Sequence, residues 1–94
     1  MKAQRFLDGT LPGYTAETLS LMRAAFDDAW CAIVHRYEGD AAIAGGRLRL
    51  AEAVVTVTPH NGANAEDIKR RALDMVYIVE RDLRDLLAPN AAIL

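Results

Sequence analysis

Cys31, His35 and Glu38 stand at i, i+4 and i+7. On a helix that spacing gathers a thiol, an imidazole and a carboxylate within about 60° of one another, at about 100° per residue. The three types together form a donor set for a transition metal, and His60 would bring a fourth ligand from a separate segment. Cys31 and His35 also read as a nucleophile with its base. The setting argues against both. The trio lies more than about 100° from the line through Phe26 and Trp30, on the side the pattern leaves to water. The tight CxxC or HxxxH spacing of structural zinc sites is missing. No third group orients His35, and no Gly-rich oxyanion loop adjoins it.

Lys69-Arg70-Arg71 is a basic run that could meet phosphate, which makes a nucleic-acid binder through Arg70 and Arg71 one alternative. Glu66 and Asp67 stand ready to neutralise it. A recognition helix needs polar base-reading residues on its open face, whereas here that face carries Asp74, Asp82 and Asp85, which repel DNA. Neither GxxxxGK[ST] nor GxGxxG occurs, so no cofactor is expected. The net charge of −2 also disfavours a broad nucleic-acid surface.

The elements that carry these residues read as helices. Apolar residues make up 52% and charged residues 26% of 94, a globular composition sized for a single domain. Residues 1–14 read as an irregular arm, with turns at Asp8-Gly9 and Pro12-Gly13 and with Phe6, Leu7, Leu11 and Tyr14 to lay over a core. A first helix is predicted over about 15–38. Thr15 is its N-cap, Gly39 its stop, and Leu19, Met22, Phe26, Trp30, Ile33 and Tyr37 its inner face. A second is predicted over 41–58. Gly45-Gly46 weakens it, and Ala53–Thr58 has strand-like composition, but a strand there would find no partner. A third spans 65–88, capped by Asn64 with Asp67 three residues on and ended by Pro89, which leaves a tail at 89–94. Glu66–Arg70, Asp67–Arg71 and Glu80–Arg84 are expected as i,i+4 pairs along it. The fold expected is therefore all-α, a compact three-helix domain with an N-terminal arm.

The third helix has more apolar surface than one small core requires. Ile68, Ala72, Met75, Val79 and Leu86 form an ordinary core seam, and Leu73, Val76, Leu83 and Leu87 widen it to roughly 160°, with Tyr77 just beyond. Leu73, Val76, Tyr77 and Leu87 are thus expected to form an interface with a second copy of the chain, unless the arm or Ile93-Leu94 covers them. One cysteine allows no internal disulfide, which suggests a reducing cytoplasm. The start, Met1 to Asp8, lacks the apolar run of a signal peptide, and no stretch is apolar for the roughly 18 residues of a membrane span.

Ala25-Phe26-Asp27-Asp28-Ala29-Trp30, Arg47-Leu48-Arg49-Leu50-Ala51-Glu52-Ala53-Val54 and Asp67-Ile68-Lys69-Arg70-Arg71-Ala72-Leu73, with Gly62 between the last two, together resemble a group of short uncharacterised proteins from alphaproteobacteria. The resemblance covers most of residues 19–75 and implies a small helical chain in a bacterial cytoplasm, with no activity, ligand or catalytic residue attached. The Val-Val-Thr-Val-Thr run departs from it, since that segment is usually richer in Leu, Ala, Arg and Glu. These readings converge on a non-catalytic interaction or regulatory module that works as a homodimer, with an unidentified protein partner as a further possibility. A metal-binding protein or enzyme built on Cys31, His35 and Glu38 is the rival from another class.

Overall fold

The computed structural model describes residues 2–9, 11–59 and 64–87. The N-cap of the first long helix forms as its residue types dictate. The Thr15 hydroxyl accepts from the Thr18 N–H at 3.1 Å, and α2 follows as Ala16–Ile33. α2 is shorter than the predicted 15–38. It tightens into a 3-10 turn, Val34–Arg36, and Tyr37 is extended. Gly39 is therefore not the stop of that helix. At φ 88° it turns the chain, and its carbonyl accepts from the Ile43 N–H at 3.0 Å to open α3, Asp40–Val57. The Ala53–Val57 stretch is helical, and no strand forms among the described residues. α3 ends at Thr58, whose buried hydroxyl donates to the Val54 carbonyl at 2.6 Å. Asn64 caps α4, Ala65–Leu87, by accepting from the Asp67 N–H at 2.8 Å. Pro89 and the tail lie outside the described residues.

The expectation of three helices and an irregular arm is corrected to four α-helices among the described residues. The arm itself folds as α1, Lys2–Asp8, and the Gly9 N–H closes onto the Phe6 carbonyl at 3.1 Å. Ala3 and Phe6 point inward, and the Phe6 ring meets Phe26 edge-on with centroids 5.7 Å apart. Arg23 reaches back from α2 to donate to the Phe6 carbonyl at 3.3 Å. Sequence periodicity misses a helix of 7 residues because its two buried side chains span one turn.

Ion pairs show how the long helices run. Lys69 of α4 holds Asp28 of α2 at 2.9 Å, and Glu80, further along α4, holds Arg36 just beyond α2 at 3.3 Å, so α2 and α4 run parallel. Arg49 meets Glu80 while Thr56 lies beside Met75 and Val76, so α3 runs antiparallel to α4. The core lies between them, with Met22, Ile33, Leu50, Val54, Ile68 and Val76 as its largest fully buried side chains.

Gly46 faces the core for a packing reason. A Cβ built there would lie 2.7–2.9 Å from three atoms of the Tyr37 ring, closer than packed carbons approach. A Cβ on its neighbour Gly45 would meet only the flexible end of Arg49, at 3.3 Å. The two glycines should therefore respond in opposite directions. Gly45→Ala is expected to raise stability by up to about 1 kcal/mol through helix propensity. Gly46→Ala is expected to lower it by about 1–2 kcal/mol, because displacement of the ring outweighs the same propensity gain. Urea unfolding of both variants reads the difference.

Candidate functional site

The metal trio is not assembled. Cys31 is exposed on α2, His35 is exposed in the 3-10 turn and Glu38 is exposed beyond it. The change of winding after Ile33 breaks the i, i+4, i+7 register on which the trio depended. No three of His, Cys, Asp and Glu converge on a common point among the described residues. His60 lies outside them. In the basic run, Arg70 is exposed and paired with Asp67 at 3.0 Å, an i,i+3 contact in place of the expected Glu66–Arg70 pair. Lys69 turns to Asp28, whose hydrogen bond, more than its charge, holds the ammonium above its ordinary value of 10.5. Arg71 is exposed.

The apolar surplus of α4 exists, and its residues differ in part from those expected. Val76 is 1% exposed and belongs to the core. It is thus not available to a second copy in this arrangement. Leu73 is half-buried against the core. Tyr77 is exposed as expected, although Arg36 lies over its ring at 4.8 Å. The Leu87 side chain lies outside what the structure describes. Val79 and Leu86, expected inside, are 40% and 75% exposed, and Leu83 is 41% exposed. Ile78 is also exposed, on another face of the helix.

The exposure has a physical cause. Val79, Leu83 and Leu86 fall in the same arc of about 80° as buried Ile68, Ala72 and Val76. The core seam continues up α4, but its cover thins. The antiparallel register carries α3 toward Gly45 and Ala41 at that end, where Ala41, Ala42 and Ala44 are small and themselves exposed. The seam loses its neighbours before it loses its apolar residues. At its lower end a shallow groove opens between α3 and α4, walled by Ala53, Thr56, Met75 and Val79.

Glu80 stands beside this stripe and is the hub of a polar cluster. Its side chain is 12% exposed. One carboxylate oxygen accepts from the Tyr37 hydroxyl and from Arg49 through Nε at 3.3 Å and Nη2 at 3.2 Å. The other oxygen pairs with Arg36 at 3.3 Å. The expected Glu80–Arg84 pair does not form, because these groups from other elements reach the carboxylate instead. Trp30 stacks on Tyr37 at 5.7 Å and 18°, so the phenol lies between an indole and the Gly46 backbone. Burial first, and then the hydrogen bond to Glu80, push the Tyr37 hydroxyl above its ordinary 10.0. Because the folded value is raised, this contribution to stability is complete below about pH 10 and is lost as pH climbs through the folded value. Arg36, Tyr37 and Arg49 lie 44, 43 and 31 residues from Glu80 along the chain, so no spacing rule could have found them.

No family model, no curated protein and no solved structure shows significant similarity to the chain.

Proposed function

We propose that this chain is a small non-catalytic interaction module that pairs with a second copy of itself through the C-terminal half of α4. One observation carries the reading: Val79, Leu83 and Leu86 continue the core seam into solvent. Soluble monomers rarely leave so many contiguous large apolar side chains in water. A two-fold axis lets one stripe bury against its copy. Such an interface resembles a domain core cut in two, which is what an extended core seam already is. The groove at Met75 and Ala53 offers each copy a place for a side chain from the other. The interface thus moves from the expected Leu73, Val76, Tyr77 and Leu87 to Val79, Leu83 and Leu86, because Tyr77 projects more than about 100° away from that stripe. No helix is long and apolar enough to cross a membrane among the described residues. The single cysteine is in keeping with a reducing cytoplasm for the module.

Leu83→Glu combined with Leu86→Glu tests the surface without touching the core. Leu86 is 75% and Leu83 41% exposed, and neither belongs to the buried core, so the variant should keep the helical circular dichroism of the parent. Its sedimentation mass is expected to fall toward that of one chain at concentrations where the parent is paired. A variant that sediments as the parent does would move the interface away from α4.

A further inference from the structure

A second feature lies around Glu80 and shares only Leu83 with the proposed interface. Arg36, Tyr37, Arg49, Glu80, Leu83 and Arg84 wall one open recess. They come from the 3-10 turn and its exit, from α3 and from α4. Three guanidinium groups face one carboxylate there, a surplus of two positive charges in a chain whose net charge is −2.

Glu80 cannot absorb that surplus. Both its oxygens are engaged, one by Arg36 and the other by Arg49 and Tyr37. Arg84 has no carboxylate partner among the described residues. Arg49 spends Nε and Nη2 on Glu80, and its Nη1 extends over Gly45, where the missing side chain leaves the guanidinium edge uncovered. Glu80 therefore acts as a clamp. It fixes two guanidinium groups, so little side-chain entropy is left to lose when an anion arrives. Tyr37 and Leu83 give the recess an apolar floor.

We propose that this recess binds the phosphate group of a small soluble phosphate monoester. The charges match: a monoester carries about −1.5 to −2 near neutral pH, against a surplus of two. Guanidinium forks suit phosphate oxygens, which accept two parallel N–H bonds. The apolar floor takes the carbon side of the ester, which inorganic phosphate lacks.

Nitrogen-15 spectra of the arginine Nε–H groups test the site directly, with inorganic phosphate and phenyl phosphate as probes and sodium chloride at matched ionic strength as the control. Both phosphates are expected to give saturable shifts of the Arg36, Arg49 and Arg84 signals, phenyl phosphate at lower concentration. Arg84→Met, at an exposed position that leaves the Glu80 clamp intact, should weaken binding about tenfold. Shifts that rise without saturation and match those of chloride would overturn the proposal. So would an Arg84→Met variant that binds both phosphates as tightly as the parent.

Discussion

Trp30→Ala is expected to lower stability by about 3 kcal/mol, within the range for removal of a large aromatic from a packed site. In a chain of this length that corresponds to a fall of roughly 15 °C in thermal midpoint. Trp30 is half-buried, so the loss sits at the lower end of that range. The reason for so large an effect lies beyond α2. Trp30 is one wall of the slot that holds Tyr37, and Gly46 is the other. Without the indole, the phenol loses its stacking partner and its aim at Glu80. Calorimetry of the variant beside Tyr37→Phe separates the two contributions. Tyr37→Phe keeps the stack and should lose only about 1 kcal/mol, the usual net value of a hydrogen bond. A Trp30→Ala midpoint equal to that of the parent would mean the indole carries no packing.

Glu80→Ala is the second large effect, expected at about 2 kcal/mol. It removes the acceptor shared by Arg36, Arg49 and Tyr37, leaving two guanidinium groups and a hydroxyl facing one another. Breaking a fully buried pair costs about 3–5 kcal/mol, but both arginines are about one-third exposed, so water compensates part of the loss. Glu80→Gln keeps an acceptor for one partner and should lose roughly half as much. Urea midpoints at low and high salt read both values, and the gap between the two variants should narrow as salt screens the charge. Equal stability of Glu80→Ala and the parent would show that the cluster contributes nothing to the fold.

Much of the architecture could be read from residue types. Thr15 and Asn64 mark the starts of α2 and α4 because a short oxygen-bearing side chain can satisfy an early N–H. The Val-Thr run of α3 was legible as helix through the lack of a strand partner and a projection that gathers Arg49, Glu52 and Thr56 on one side, although its composition argued otherwise. Four features were not legible. α1 is too short to show a period. The 3-10 turn after Ile33 comes where the apolar pattern through Tyr37 still fits a continuous helix. The third concerns α4. Periodicity located its stripe, but it cannot say how far along a helix the neighbours reach. Periodicity alone therefore puts Val76 outside the core and Val79 and Leu86 within it, the reverse of their burial. The Glu80 cluster was hidden for a related reason. A local rule pairs Glu80 with Arg84, and only the packed fold brings Arg36, Tyr37 and Arg49 closer.

The proposed pairing rests on the bare end of that stripe, and the mass of the chain in solution is its most direct test. Light scattering on the native chain at tens of micromolar, in moderate salt, should give twice the 10.3 kDa of one copy and fall toward a single copy on dilution. A mass of one chain that holds up to the highest soluble concentration would contradict self-pairing and leave Val79, Leu83 and Leu86 without the occupant assigned to them.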